Sequence, residues 1–246
     1  MDISLPVAER VLRVAAQVGQ GAPSILDTQP WRWQIDASSL ELWADRSRQL
    51  HVADPHGRLL TISCGAALHH AKLALAVLGH DAIAFRCPDA AAPDCFATIR
   101  LTGRHHVPSN AERALYAAIA QRRAERRTCS ARPVDRADAH ALVDAVDKAG
   151  AQLHLLGASS LAHEMHGSPP TTASTVSYAV VVTEYDESDD WLQAGEALSA
   201  LVLTATSVGL ATAPAAAALT RERLQRMLSG PGHAQLAVRI GHPSPR

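Results

Sequence analysis

The apolar positions of this chain follow two rhythms. Where they recur every three to four residues they predict helices, over Leu5–Val18, Gly57–Leu78, Asn110–Arg123, Asp135–Ala149 and Asp190–Leu210, with a short one from Thr220 to Leu228. Where they alternate or run together they predict strands: Leu40–Ala44 within SLELWAD, Ala82–Arg86, Phe96–Leu101, Gln152–Leu156, Ser177–Thr183 and Gln235–Ile240. Glycine follows two of the helices, at Gly79 and Gly150, where a left-handed residue closes a helical end. Ser109 or Asn110 and Thr220 carry the short side chains that accept hydrogen bonds from a first helical turn.

Two of these helices resemble each other. Gly65–Gly79 reads GAALHHAKLALAVLG and Gly195–Gly209 reads GEALSALVLTATSVG, with Gly, Ala-Leu, a later Leu (Leu73, Leu203) and a closing Gly in register. Two Ala/Leu-rich helices look partly alike by composition alone. The matching order of a polar turn before each helix and a short apolar segment after it favours an internal duplication. Helices so rich in small residues pack closely, so the pair is expected to meet as a pseudo-twofold core. The second helix opens an uncharged stretch, Ala197–Leu219, but Pro214 interrupts it and the helical part is short for a membrane span. It is expected instead at the centre of a soluble domain.

Composition narrows the partners. A formal net charge of -1 and a sequence pI of about 6.9 leave no basic excess for nucleic acid or an anionic membrane. Only 4% of residues are aromatic, so the core must be Ala, Leu and Val. Cys64, Cys87, Cys95 and Cys129 show no C-x-x-C spacing and read as scattered reduced thiols of a cytoplasmic protein. The N-terminus has acidic residues and no continuous apolar run, unlike a signal peptide. Among thirteen histidines, His69–His70 and His105–His106 are adjacent and diverge on a helix, and His163 with His166 would need further ligands, so no metal is expected. No G-x-G-x-x-G, P-loop or G-x-S-x-G occurs.

The most distinctive string is the loop after the first helix, Ala22-Pro23-Ser24-Ile25-Leu26-Asp27-Thr28-Gln29-Pro30-Trp31-Arg32-Trp33. Two prolines and short polar side chains present hydrogen-bonding groups at fixed geometry, though a surface turn leading into a strand has the same composition. Arg122–Arg127, RRAERR, likewise suits a solvated helix end. The loop resembles the A-P-S-x-x-N-T-Q-P-W motif of the nitroreductase superfamily, especially its Acg-like branch. Asp45–Arg48, Asp54–Arg58 and Cys64–His70 are similar to that branch too. So are Arg126-Arg127-Thr128, matching R-R-[ST], the run Gly195–Thr212, and Val238–Gly241.

The resemblance implies an α+β, nitroreductase-like three-layer α-β-α fold, with a mostly antiparallel sheet packed by helices and two fused half-domains, 1–108 and 109–246. It implies one FMN per chain, because the first half lacks R-R-[ST] and the second lacks the P-S-x-x-N loop. Carried over residue by residue, the flavin contacts are Pro23, Ser24, Asp27 and Gln29 from the loop and Arg126, Arg127 and Thr128 for the phosphate. Pro214, Ala215 and Ala216 follow the second core helix, and Arg246 ends the chain. Guanidinium forks and a hydroxyl suit a dianionic phosphate. No side chain is expected as catalytic acid or base, since the cofactor carries the chemistry. The implied activity is NADH- or NADPH-dependent reduction of nitro or quinone acceptors. The alternative is a non-catalytic protein that stores FMN; a third reading is a chain that has lost flavin and serves as an interaction domain. The expected state is a monomeric pseudo-dimer or a weak homodimer.

The chain departs from the pattern twice. Asp27 stands where the family has Asn, and an ionised carboxylate only accepts hydrogen bonds. The connection Leu156–Val176 is several dozen residues shorter than in the family. Cys129, beside the arginine pair, reads either as a low-pKa thiol or as an incidental cysteine.

Overall fold

The computed structural model describes residues 7–36, 38–86, 91–124, 129–130, 134–157, 177–214, 220–228 and 230–244. Along the first part run α1 (Val7–Gly19), β1 (Trp31–Ile35), β2 (Ser39–Ala44), α2 (Arg58–Val77), β3 (His80–Arg86), β4 (Cys95–His105) and α3 (Asn110–Ala124). The second part holds α4 (Arg136–Lys148), β5 (Gln152–Leu156), β6 (Ser177–Thr183), α5 (Ser188–Ser207), β7 (Ala211–Pro214), α6 (Arg221–Met227) and β8 (His233–Gly241).

The mixed α/β, antiparallel expectation holds, but the strands form two sheets rather than one. The first has the order β1-β2-β4-β3 and the second β5-β6-β8-β7, every neighbouring pair antiparallel. In both, two strands precede a core helix and two follow it, with α6 between the last two in the second part, and the last strand inserts beside the second. The reason for two sheets is that α2 and α5 lie between them. Each helix is apolar almost all round, burying most of Leu60–Leu75 on one and most of Leu192–Ala205 on the other. One flank of α2 meets Leu40, Leu42, Phe96 and Ile99 of the first sheet. One flank of α5 meets Ala179, Val181 and Ile240 of the second. The remaining flanks meet each other.

At that crossing stand Gly65 and Gly195. A Cβ on Gly65 would lie 2.9 Å from the Gly195 Cα, and one on Gly195 would lie 2.8 Å from the Gly65 Cα. The contact is reciprocal: Gly65 also faces the Leu192 carbonyl, and Gly195 faces the Ile62 carbonyl. Both helices start firmly. Asp54 accepts from the Leu59 and Leu60 N–H groups at 3.1 and 2.9 Å, and Glu187 with Asp190 forms a capping box on α5. Among the described residues α2 is the one helix long and apolar enough to cross a membrane, and it is mostly buried.

Polar groups also cross between the helices. Glu196 of α5 bonds Lys72 of α2 at 2.5 Å and Arg86 of β3 at 2.7 Å. His69 Nδ1 shares a hydrogen bond with Ser199 Oγ at 2.8 Å, and burial pushes its pKa down to about 4. Its unfolded value is near 6.5, so the unfolded chain takes up this proton first as pH falls. The stability linked to His69 is therefore complete above about pH 6.5 and is lost toward pH 4, at no more than about 1.4 kcal/mol per pH unit. Denaturant midpoints at pH 7 and pH 5 check this: His69→Gln is expected to shrink the difference between them, and an unchanged difference refutes the assignment.

Two strands were not bounded by the sequence reading, which left β1 only as a strand leading out of a surface turn. β1 begins inside the loop string, and β7 is four residues long. The other elements fall within a few residues of their predicted ends.

Candidate functional site

The loop joining α1 to β1 is shaped by three residues in the left-handed region, Leu26 (φ 54), Asp27 (φ 53) and Gln29 (φ 45). Aspartate tolerates that region through its short polar side chain, whereas leucine is strained there by about 1–2 kcal/mol. Surrounding hydrogen bonds hold the shape. Ser24 Oγ accepts from the Gln29 N–H at 3.0 Å, and Ser63 Oγ of α2 accepts from the Ile25 N–H at 3.1 Å. Gln29 Nε2 donates to Asp27 Oδ1 at 3.2 Å, and Trp31 Nε1 donates to Gln20 Oε1 at 2.7 Å, anchoring the far end on α1. Leu26 is left 74% exposed at the rim, which places it outside any core role.

Opposite the loop lies a cavity of about 960 Å³. Small-molecule and cofactor sites span roughly 300–1,000 Å³, so this one is large enough for a dinucleotide-sized or flavin-sized ligand. One wall is the loop itself, with Pro23, Ser24, Asp27 and Gln29. The floor is Leu198 and Val202 of α5, and the far wall is Thr212 and Ala213 of β7 with Leu236, Ala237 and Val238 of β8. The cavity therefore draws one side from each part of the chain. Among the described residues three arginines reach it, Arg58, Arg122 and Arg221, against one lining carboxylate, Asp27. Arg122 Nη2 donates to the Gly21 carbonyl at 3.3 Å, beside the end of α1.

Of the residues predicted for the site, Pro23, Ser24, Asp27 and Gln29 converge on this cavity. Pro214 ends β7, paired with Val238. Arg126, Arg127, Thr128, Ala215, Ala216 and Arg246 lie outside the described residues, as do His163 and His166. Arg122, which precedes the arginine pair, lines the cavity rather than a solvated helix end. Arg58, which closes the family-like stretch Asp54–Arg58, was not singled out as a site residue, nor were Arg221 and Gln235, because the sequence does not show that Arg58 reaches Gln235 across 177 positions. Cys129 is buried and donates its thiol to the Ala211 carbonyl at 3.3 Å; burial pushes its pKa up, which disfavours a reactive thiolate. Among the described residues no group of three His, Cys, Asp or Glu side chains could hold a metal ion.

No protein-family model matches the chain. A Mycobacterium tuberculosis H37Rv protein named "Putative NAD(P)H nitroreductase Rv3131" is 32% identical to it, over 98% of this chain and 87% of the relative. The chain belongs to the nitroreductase superfamily. A second H37Rv protein, "Uncharacterized protein Rv3127", is 27% identical over 96% of this nitroreductase-superfamily chain and 88% of the relative. A third, "Putative NAD(P)H nitroreductase acg", is 36% identical over 83 residues, 34% of this chain. The alignment with the first relative runs to 303 positions, longer than the 246 residues here, so that relative carries segments which this superfamily member lacks.

Proposed function

We propose that this chain is an FMN-dependent oxidoreductase that draws on NADH or NADPH and reduces nitro or quinone acceptors. The observation carrying this reading is the convergence of Ser24, Asp27 and Gln29 with the β7–β8 wall on one large cavity. The names of its relatives point the same way. The residues fit a flavin in kind. A flat ring needs apolar faces, available from Leu198, Val202, Leu236 and Val238. Its polar edge needs partners, available from Ser24, Asp27 and Gln29. Arg122 precedes Arg126, Arg127 and Thr128, the group proposed to take the phosphate, by a few positions in sequence.

A bound flavin would supply hydride transfer; the protein's part is to bind, orient and bias it. The loop is already fixed by Ser24 and Ser63, so binding costs little ordering. The Asp27 carboxylate at the ring edge would oppose an added electron pair and favour the oxidised cofactor. We further read the chain as two duplicated halves, 1–108 and 109–246, acting as a monomeric pseudo-dimer with one flavin. Identical strand order and the mutual Gly65–Gly195 contact, 130 positions apart, support this.

The test is a visible spectrum of protein loaded with FMN and desalted, before and after anaerobic NADPH. Retained flavin bands that bleach are the expected result. Bands that persist unbleached would replace the oxidoreductase with a flavin-storage protein, and a colourless protein would remove flavin from the account altogether.

A further inference from the structure

Besides Arg122, two further guanidinium groups among the described residues line the cavity, Arg58 and Arg221. Arg58, the first residue of α2, donates through Nη1 to the Gln235 carbonyl at 2.6 Å and to Gln235 Oε1 at 3.2 Å. Arg221, the first residue of α6, donates through Nε to the adjacent carbonyl, Ala234, at 2.8 Å. Neighbouring carbonyls of β8 thus seat two guanidinium groups side by side. Arg58 is half-buried, and burial together with the Arg221 charge lowers its affinity for its proton.

Of the nearby acids, Asp186 pairs with Arg221 itself, whereas Asp54 is spent on the start of α2. Asp186 Oδ1 accepts from Arg221 at 2.6 Å, from Trp191 Nε1 at 2.7 Å and from Gln235 Nε2 at 3.2 Å. Asp54 spends both oxygens on the start of α2. Among the described residues, Nε and Nη2 of Arg58 have no hydrogen-bond partner. A half-buried guanidinium with two spare donors on a cavity, beside a second guanidinium, offers those donors to an anionic oxygen group.

We propose that Arg58 and Arg221 form an anion subsite for a second ligand, which presents a carboxylate or a phosphate to this wall. The proposal rests on the reading that a flavin occupies the loop side of the same cavity. Arginine forks match both groups in geometry, and both are carried by plausible ligands: an acceptor bearing a carboxylate, or a dinucleotide bearing a phosphate monoester. The subsite would make the protein prefer charged ligands over neutral ones of the same shape.

The experiment is equilibrium binding by calorimetry to FMN-loaded protein, with four probes: 4-nitrobenzoate, neutral 4-nitrobenzamide, NADP+ and NAD+. For the native protein, one charged probe of the two pairs is expected to bind at least tenfold more tightly than its neutral or less charged partner. In Arg58→Gln that preference falls about tenfold, equivalent to about 1.4 kcal/mol, while 4-nitrobenzamide and NAD+ stay within twofold. Loss confined to 4-nitrobenzoate identifies a carboxylate acceptor; loss confined to NADP+ identifies the dinucleotide phosphate. Arg58→Lys, which keeps the charge, retains more of the preference than Arg58→Gln. The proposal is overturned if neither preference moves. It is equally overturned if both variants weaken all four probes alike, which signals a collapsed wall, or if Arg58→Gln releases FMN, which assigns the arginines to the flavin. Should the native protein hold no FMN, the flavin reading fails separately, and the same titrations on flavin-free protein still decide the subsite.

Discussion

Gly65→Ala is expected to lower stability by about 3 kcal/mol, the upper part of the range for inserting atoms into a packed core. The added carbon would sit 2.9 Å from the Gly195 Cα and nearer still to the Leu192 carbonyl, and both of these are backbone. A side chain in the way could rotate; a helix backbone can only move bodily, and α2 and α5 are each held by a sheet behind them. For a chain of this size the loss corresponds to a fall of about 6–12 °C in melting temperature. Gly195→Ala should cost about the same, since its Cβ would meet the Gly65 Cα and the Ile62 carbonyl. The double variant should cost less than the sum, because one separation of the helices relieves both clashes. A Gly65→Ala protein melting within about 2 °C of the native one would show that the helices are not locked by backbone contact.

The second large effect lies in the polar bridge across the same core. Removing both cations, as Lys72→Met with Arg86→Met, is expected to cost about 3–5 kcal/mol, because it strands a carboxylate that water cannot reach. Removing the carboxylate, as Glu196→Gln, is expected to cost less. The asymmetry follows from exposure: the Glu196 side chain is 3% exposed, while those of Lys72 and Arg86 are 42% and 30% exposed and can recover hydration. Burial pushes the Glu196 carboxyl up, and Lys72 and Arg86 more than offset this, so it titrates below its ordinary value. Its stabilisation is thus present above the ordinary carboxyl pKa of about 4.3 and disappears as pH falls through the lower folded value. Chemical denaturation of the three proteins at pH 7 and pH 3.5 tests both points. A Glu196→Gln loss larger than that of the double cation variant would refute the argument from exposure.

The sequence was readable where one periodicity dominated. The two core helices, the VVV run of β6 and the alternating β4 stand out because burial on one or all sides repeats along them. The bounds of β1 were hidden because Trp31 belongs at once to the loop motif and to a strand whose exposed positions, Arg32 and Gln34, face away from the core. β7 was hidden because Ala211-Thr212-Ala213-Pro214 is too short to show a period. The loop side of the site was legible because its residues are contiguous. The arginine wall was not, since Arg58, Arg221 and Gln235 gather only after α2 has been brought against β8. The separation into two sheets was also invisible, because strand order says nothing about which helices intervene.

The cavity takes its loop from one half of the chain and its far wall from the other, so whatever fills it also holds the halves together. Mass action then ties occupancy to folding: a ligand at one hundred times its dissociation constant adds about 2.7 kcal/mol to the native state. That is nearly what Gly65→Ala removes. A core-weakened variant could accordingly survive only while its ligand is abundant, and the amount of folded protein would become a gauge of ligand supply.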